Sequence, residues 1–303
     1  MKKLQNNEND SFTIIKKDLN EIDRYWTEER MAKAIPHPSP KVSKKMLARL
    51  KKKINVTGIV ESVEGSDVNQ KNAGTKPQRA NVKKRPYWNG GKIFFTKPNG
   101  EDYVGSAQFC GDAYIVLTAA HCIRDNKTGA WYKNVVFRRG YHDGGGQKIT
   151  IKTLTTKAAW HNGTDNLPFE FDYSFLVAKT KSGAGWLGWK TLIPYSTWTA
   201  IGYPVAYDKG KYMQEVTGSK GNNNEPGLVE MLNNPMGPGC SGGAWIGELS
   251  TPHSTGNYAI GLNSFHFESQ PNNEWSPLFD SSFSNLYRFA LGFKSKKKNR
   301  TVE

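Results

Sequence analysis

Along most of the chain, hydrophobic residues occur in short runs separated by Gly, Asn and Asp. From residue 92 onward these runs are rich in β-branched and aromatic side chains, which is typical of strands joined by turns. Strands are predicted at 93–96, 115–118, 135–137, 149–151, 171–177, 198–201, 228–232, 243–246 and 258–262. No helical pattern separates them, so we predict an all-β fold of barrels or sandwiches, with a closing helix at 282–291.

The N-terminal quarter has a different pattern. Apolar residues fall roughly on one stripe over 17–34, which predicts a helix ended by the following prolines. A second short helix is expected at 41–53, and the polar, basic stretch 64–86 has the composition of a linker. The chain therefore divides into an N-terminal extension, a main domain and a basic tail, at 1–85, 86–293 and 294–303.

Positive charge is concentrated in the extension. The sequence has 42 Lys and Arg against 27 Asp and Glu, a net charge of +15. Residues 1–85 hold 20 of the basic and 10 of the acidic residues, so this quarter carries +10. A basic arm can bind nucleic acid. No recognisable nucleic-acid-binding module accompanies it, however, so we favour a solvated extension over a nucleic-acid partner.

Two further features bear on membranes and compartment. No stretch of about 18 apolar residues occurs, which excludes a transmembrane helix. The residues after Met1 are polar and charged and cannot form the apolar core of a secretory signal. The three cysteines allow at most one internal bridge, a usage that suits a reducing compartment without requiring one.

The strongest motif is Gly239-Cys240-Ser241-Gly242-Gly243. A serine hydroxyl becomes a nucleophile when a base takes its proton and hydrogen-bond donors meet the developing oxyanion. Gly239 allows the turn that brings backbone N–H groups together, and the glycines after Ser241 leave space for a substrate. Taken alone, the motif could also be a tight turn between strands.

Two upstream motifs supply a base and an acid. His121 follows the apolar run 115–117 and two alanines, which leave room for the imidazole to reach a serine. Asp172 leads into an apolar strand, where a buried carboxylate could accept the imidazole N–H and fix its tautomer. Asp143 and Asp165 are rival acids, but neither leads directly into so apolar a strand. The chain order His, Asp, Ser is the one found in chymotrypsin-like barrels.

With these motifs, the stretch from about residue 85 to 293 resembles the trypsin-fold serine endopeptidases, specifically the bacterial and fungal branch related to glutamyl endopeptidases. The resemblance rests on four motifs in order: 91–95, 118–122, 202–204 and 239–243. It implies two six-stranded antiparallel barrels, at about 86–180 and 190–293, with the active site in the cleft between them. It also implies a protein or peptide substrate; no cofactor and no metal is expected.

The resemblance also implies roles for single residues. Ser241 would attack the scissile carbonyl, His121 would carry the proton, and Asp172 would orient the imidazole. The N–H groups of Gly239 and Ser241 would form the oxyanion hole. Ser264 matches a position that hydrogen-bonds the buried aspartate, and the backbone of residues 264–266 would pair with an extended substrate.

Side-chain preference is only weakly readable from the sequence. Pro235 and Met236 occupy the place where trypsin carries its selective acid, so a pocket for Arg or Lys is unsupported. Glutamyl endopeptidases have a histidine where this chain has Asn263, and His266 is close but not aligned. A preference for Glu or for a medium-sized side chain stays open. The predicted substrate-binding residues are Pro235, Met236, Asn263, Ser264, Phe265 and His266.

The cysteines depart from the trypsin pattern. Cys240 replaces the aspartate that pairs with the new N-terminus when trypsin is activated. A Cys110–Cys122 bridge is conceivable, but three free thiols are favoured. Cys240 is not the expected nucleophile, because Ser241 holds the third place of the Gly-x-Ser-Gly-Gly motif.

The N-terminal extension also resembles part of this family. Residues 24–36 resemble the prosegment of secreted members, and Lys83-Lys84-Arg85 is a plausible maturation site, although an uncut basic linker is equally compatible. We expect residues 1–85 to restrain activity. The alternative function is a catalytically silent barrel that binds partners through its basic arm. Localisation is open, because the resemblance points outside the cell while the missing signal and unpaired cysteines point inside. Oligomeric state is also open.

Overall fold

The computed structural model describes residues 12–16, 19–42, 62–63, 76–161, 168–222, 225–253 and 255–294. The fold is all-β, as predicted. Its strands are β1 (Phe12–Lys16), β2 (Ile35–Pro36), β3 (Lys41–Val42), β4 (Ser62–Val63), β5 (Gln78–Arg79), β6 (Gly90–Thr96), β7 (Asp102–Phe109), β8 (Ile115–Thr118), β9 (Lys133–His142), β10 (Gly145–Lys157), β11 (Ser174–Ala178), β12 (Gly188–Lys190), β13 (Thr197–Gly202), β14 (Gln214–Lys220), β15 (Leu228–Leu232), β16 (Ala244–Gly247), β17 (Tyr258–Leu262), β18 (His266–Phe267) and β19 (Glu274–Pro277). The helices are α1 (Leu19–Tyr25), α2 (Glu28–Lys33) and α3 (Ser281–Leu291).

Strands β6 to β11 close into a six-stranded antiparallel barrel. The hydrogen-bonded order is β10-β11-β8-β7-β6-β9, and β9 pairs back with β10. Its interior is filled by fully buried aromatic and aliphatic side chains such as Phe94, Phe109, Leu117 and Phe137. This barrel supplies the rigid frame for two of the predicted site residues.

The second sheet forms a half-barrel. Six antiparallel strands follow one another in the order β19-β15-β14-β13-β16-β17. Among the described residues, no ladder joins β17 to β19; instead, the Ser276 hydroxyl accepts a hydrogen bond from the Leu262 N–H at 2.9 Å. The two predicted barrels are therefore one closed barrel and one half-barrel, whose outer strands β17 and β19 are joined by the Ser276 hydroxyl.

The closing helix is present as α3. The Asp280 side chain caps it by accepting hydrogen bonds from the N–H groups of Ser282 and Phe283. The Phe283 ring then packs on Phe175 of the first barrel and on Trp189 of β12, with ring centroids 4.9 and 5.6 Å apart. None of the helices in the described part of the chain is long and apolar enough to cross a membrane.

The N-terminal elements add to both sheets. Strands β1 and β2 extend the first sheet, and β4 and β5 extend the second. Helices α1 and α2 lie on the first barrel, where Trp26 and Met31 are buried. Ion pairs at 2.7 Å between Arg30 and Asp102 and at 2.6 Å between Arg138 and Glu28 hold them there.

Three sequence predictions need correction. The helix predicted at 17–34 is two helices, because Thr27 is extended and its hydroxyl caps α2 by accepting from the Arg30 N–H; residues 17–18 lie outside the described residues. The helix predicted at 41–53 starts instead with strand β3, and 43–53 lie outside the described residues. The strand predicted at 171–177 begins at Ser174, after a 3₁₀ turn.

The linker predicted at 64–86 is also partly corrected. Strand β5 pairs with β14, and Arg79 forms an ion pair with Asp208, so residues 78–79 belong to the second sheet. Residues 64–75 lie outside the described residues.

Candidate active site

His121 and Asp172 meet because their strands are neighbours in the barrel. His121 lies in the 3₁₀ turn Ala120–Cys122 that follows β8, and Asp172 lies just before β11. Strand β8 pairs with β11 so that Thr118 stands opposite Ser174, which brings the two segments to one end of the barrel. The Asp172 Oδ2 is 2.7 Å from the His121 Nδ1, and the Asp172 Oδ1 accepts the His121 backbone N–H at 2.8 Å.

A third donor completes the surroundings of Asp172. The Ser264 hydroxyl donates to the Asp172 Oδ2 at 2.5 Å, and Asp172 is fully buried. Burial alone lowers the pKa of His121, but the adjacent Asp172 carboxylate, to which it is hydrogen-bonded, outweighs this and raises the pKa above its usual value. The carboxylate therefore stabilises the imidazolium and, in the neutral imidazole, keeps the proton on Nδ1 so that Nε2 can act as an acceptor.

The loop that carries Ser241 depends on glycine. Gly239 and Gly242 have φ values of +95° and +87°, and a Cβ on them would lie 2.5 Å from the Tyr203 carbonyl oxygen and 2.2 Å from the Thr118 hydroxyl, respectively. These positions therefore accept only glycine.

Strand β7 of the first barrel holds this loop in place. The Ser106 hydroxyl donates to the Gly239 carbonyl at 2.9 Å, and its N–H donates to the Ser241 carbonyl at 2.8 Å. The Gln108 amide donates to the Gly242 carbonyl at 3.0 Å and accepts from the Ala244 N–H at 2.8 Å. Residues 239–243, which we call the nucleophile loop after the role predicted for Ser241, thus precede strand β16 of the second sheet and are held by the first barrel.

The two atoms that a serine mechanism would join are buried. Ser241 is 1% exposed and His121 is 5% exposed. Neither the Ser241 Oγ nor the His121 Nε2 has a hydrogen-bond partner within the described residues. The structure therefore brings His121 and Asp172 together but shows no hydrogen bond between the Ser241 hydroxyl and the His121 ring.

The cleft is crossed by residues 35–42, which we call the cleft segment. Ile35 and Pro36 pair in parallel with Tyr103 and Val104 of the first barrel. At the other end, Lys41 and Val42 pair in parallel with β18, residues 266–267. The segment therefore runs from one sheet to the other across the candidate site.

The middle of the cleft segment binds one of the two N–H groups predicted to form the oxyanion hole. The His37 carbonyl accepts the Gly239 N–H at 3.0 Å, and the His37 N–H donates to the Val104 carbonyl at 2.8 Å. The Pro40 carbonyl accepts the His266 N–H at 3.3 Å. The N–H groups that the sequence assigned to substrate at Gly239 and His266 are thus bound to residues of the same chain.

The His37 ring lies directly against the candidate base. Its centroid is 5.1 Å from that of His121 and 5.6 Å from those of Phe95 and Tyr103. Burial, together with the positive charges of His121 and Lys97, lowers the pKa of His37 well below its usual value. His37 is therefore a neutral, packed side chain that excludes water from His121.

The predicted substrate-binding residues have different surroundings. Asn263 uses its whole amide inside the protein: it donates to the carbonyls of Ile201 and Cys240 and accepts from Asn234 and the Trp245 indole. It supports the nucleophile loop and has no hydrogen-bonding group left for a substrate. Met236 is buried in the core of the second sheet, and Pro235 is half-buried. His266 pairs with Lys41 of the cleft segment, and Phe265 lies in one apolar cluster with Val42 of that segment.

One buried acid near the cleft was not predicted. Glu274, at the start of β19, is 1% exposed, and neither carboxyl oxygen has a hydrogen-bond partner within the described residues. It is next to Trp275, which exchanges backbone hydrogen bonds with Ser264 and Phe265. The only sequence signal was a glutamate at the edge of the apolar stretch 274–279.

The remaining candidates do not alter this arrangement. Cys110, Cys122 and Cys240 are free and buried, as favoured from the sequence. Asp143 is exposed and forms an ion pair with Lys211 at 2.7 Å, whereas Asp165 lies outside the described residues. In the described part of the chain, no group of three or more His, Cys, Asp or Glu side chains could hold a metal ion.

No family model and no curated protein sequence matches the chain. Among solved structures, the thermostable serine protease AL20 from an extremophilic microorganism is 28% identical, with a TM-score of 0.58, and the match covers 69% of this chain and 99% of that one. Protease Anisep from Arthrobacter nicotinovorans is 25% identical, with a TM-score of 0.60, over 72% of this chain and 100% of that one.

A Glu endopeptidase shares the fold at 16% identity, with a TM-score of 0.57, over 76% of this chain and 99% of its own. At this identity the likeness extends to the fold and not to the substrate. Together with AL20 and Anisep, it bears out the resemblance drawn from the four motifs. The chain shares the chymotrypsin fold of these serine proteases, which supports its interpretation as a serine-type endopeptidase.

Proposed function

We propose that the chain hydrolyses peptide bonds through a covalent acyl-enzyme formed on Ser241. His121 Nε2 takes the proton of the Ser241 hydroxyl as its oxygen attacks the scissile carbonyl, and then gives the proton to the leaving amine. Asp172 orients the imidazole and stabilises its charged form. Water, deprotonated by the same imidazole, then releases the acyl group and restores Ser241.

The observation that carries this proposal is the set of hydrogen bonds on Asp172. The carboxylate accepts from the His121 backbone N–H, the His121 Nδ1 and the Ser264 hydroxyl, all at 2.5–2.8 Å. An imidazole held this way keeps Nε2 free to accept a proton. The oxyanion would be met by the N–H groups of Gly239 and Ser241, and loss of one such donor typically costs about 3 kcal/mol of transition-state stabilisation.

We further propose that the cleft segment holds the intact chain in an inactive, zymogen-like form. The segment places the His37 carbonyl on the Gly239 N–H, where a scissile carbonyl would lie. Yet residues N-terminal to His37 lie on the first barrel, and residues C-terminal to it lie on 266–267. If an acyl group binds along 264–266, as the family resemblance implies, the segment runs in the opposite direction to a substrate. This reversed direction would let it block the site without being cut.

A fluorophosphonate probe tests the catalytic proposal. The probe reacts with an activated serine, so we expect labelling of the chain to be abolished by Ser241→Ala. The adjacent Cys240→Ser change is the matched control and should retain labelling, because burial raises the pKa of the Cys240 thiol well above its usual value and leaves it inert. Labelling that follows Cys240, or none once the cleft is open, would contradict the mechanism; the second result would favour the silent binding module.

Opening the cleft tests the inhibitory role. Val42 is 1% exposed in an apolar cluster with Phe265, Phe267 and Trp275, so Val42→Asp should release that end of the segment. We expect peptide hydrolysis and probe labelling to rise at least tenfold. Ile35→Ala is the matched control, since Ile35 is 44% exposed on the same segment and should change neither rate. Loss of hydrogen-exchange protection at 37–42 without any gain in either rate would contradict inhibition.

A further inference from the structure

Glu274 lies directly behind the backbone that is expected to bind the substrate. The Trp275 N–H donates to the Phe265 carbonyl at 2.8 Å, and the Ser264 N–H donates to the Trp275 carbonyl at 3.0 Å. Strand β19 is therefore attached to residues 264–265 through the residue that follows Glu274. Any side chain that enters between 264–266 and the nucleophile loop would meet this strand.

The Glu274 side chain is on the face of β19 that looks toward the nucleophile loop. The neighbouring Trp275 packs on the rings of Phe265 and Phe267, at 6.0 and 5.1 Å, and successive side chains of a strand point to opposite faces. The Glu274 carboxyl interacts electrostatically with His121 and with the Cys240 thiol. The carboxyl therefore faces the part of the site that contains His121 and Cys240, the residue before Ser241.

Among the described residues this carboxyl has no hydrogen-bond partner, which sets it apart from Asp172 and Glu230, the other buried acids of the site and its sheet. Asp172 accepts three hydrogen bonds, and Glu230 on the adjacent strand accepts one from Asn273 at 2.9 Å. Glu274 is as deeply buried, yet both of its oxygens lack a donor within the described residues. A buried, unsatisfied acid is costly to keep, so it calls for a ligand that brings donors of its own.

In this structure the cleft segment covers the nucleophile loop on the side that Glu274 faces. Ser39 is 4% exposed, its hydroxyl lies beside the Cys240 thiol, and it belongs to the stretch between His37 and Pro40 that crosses the site. Its short side chain does not supply a cation to Glu274. Release of the segment would therefore uncover the side of the nucleophile loop that the Glu274 carboxyl faces.

We propose that Glu274 is the specificity-determining residue of this enzyme and selects a lysine or arginine side chain on the acyl side of the scissile bond. The inference rests on the proposed function, since it assigns the acyl-side pocket of the same site. An ammonium or guanidinium group brings several N–H donors and a positive charge, which would satisfy both carboxyl oxygens at once. The acid that selects a basic side chain in trypsin lies at the place of Pro235 and Met236; here Glu274 on β19 would take that role.

Substrates that differ in one side chain test this selection. In the Val42→Asp chain, with opening verified by hydrogen exchange, peptides with Lys, Arg, norleucine or Glu at the acyl-side position would be compared. We expect kcat/KM for Lys or Arg to exceed that for norleucine by roughly 100-fold or more, because the cation meets a buried carboxylate. Glu274→Gln should remove most of that ratio. Preference for norleucine or Glu, with Ser241 still labelled by the probe, would overturn this inference and leave the proposed function intact.

Binding provides a readout that does not need catalysis. In the Val42→Asp, Ser241→Ala chain, benzamidine should bind at least tenfold more tightly than neutral benzamide, and Glu274→Gln should abolish the difference. Glu230→Gln is the matched control: Glu230 stands opposite Trp275 in the sheet, faces away from Glu274, and should leave the difference unchanged. Equal binding of benzamidine and benzamide would overturn the pocket even if the chain proved to be catalytically silent.

Discussion

Asp172 and Glu274 are both buried carboxyl groups at the candidate site, but the fold supplies donors to only one of them. Asp172 accepts three hydrogen bonds, two of them from His121. Glu274 has none within the described residues, although it is 1% exposed. Hydrogen bonds within the chain therefore satisfy Asp172, whereas in our proposal Glu274 is satisfied only by a ligand.

The two groups should consequently respond to mutation in opposite ways. Removing a satisfied carboxylate leaves its donors without an acceptor and harms both the imidazole geometry and stability. Removing an unsatisfied one relieves a desolvation cost and harms only ligand selection. The predictions below test this contrast.

The largest expected effect follows Asp172→Asn in the opened chain. The amide cannot hold the imidazole in the required tautomer, so kcat should fall about 10⁴-fold. Asp172 also raises the pKa of His121, so that pKa should be lower in the variant. The acidic limb of the kcat/KM profile should therefore move to lower pH, because the imidazole becomes neutral at a lower pH. A pH series with one peptide measures both effects. An unchanged limb would mean that Asp172 does not act on His121.

The second prediction concerns stability and pH at Glu274. Burial raises the pKa of this carboxyl well above its usual value. The unfolded chain therefore releases a proton above about pH 4.5 that the folded chain keeps, so Glu274 should make the protein less stable as pH rises toward the folded-state pKa, by up to about 1.4 kcal/mol per pH unit.

Glu274→Met should remove that slope and raise the free energy of unfolding at neutral pH by about 1–3 kcal/mol. Urea denaturation between pH 5 and 8 in the Ser241→Ala background measures both quantities without self-digestion. Glu230→Met is the comparison, because Glu230 has a donor in Asn273 and its loss should destabilise the protein. Parallel slopes for the parent chain and Glu274→Met would show that Glu274 is not the cause.

The same contrast explains what the sequence could predict. His121 and Asp172 each follow or precede an apolar run, so local pattern and chain order were enough to select them. Strand β7 was missed because Ser106 and Gln108 interrupt its apolar pattern, and those side chains hold the nucleophile loop. Glu274 was missed because its closeness to the site depends on the register between β15 and β19 and on the pairing of Trp275 with Phe265, neither of which a motif encodes.

The cleft segment was only half predictable. The resemblance of residues 24–36 to a prosegment reaches only the start of this segment, whose path is set by non-local pairings with Tyr103–Val104 and with 266–267. Residues 41–42 were expected in a helix, because Val42 fits a helical stripe with later apolar residues. Pairing with β18 and burial of Val42 against Phe265 outweigh that local preference.

The smallest expected effect follows Ser264→Ala, which removes one of the three donors to Asp172. A hydrogen bond to a charged group is worth about 1.5–3 kcal/mol, so kcat should fall roughly 10- to 150-fold while KM stays nearly constant. Ser174→Ala is the matched control: its hydroxyl is equally buried but donates to the neutral Thr155 carbonyl at 2.7 Å. Ser174→Ala should lose about 1 kcal/mol of stability and Ser264→Ala at least as much, but only Ser264→Ala should slow hydrolysis. Equal activity of the two variants would mean that the third donor supports the fold of the Asp172 corner and not the orientation of its carboxylate.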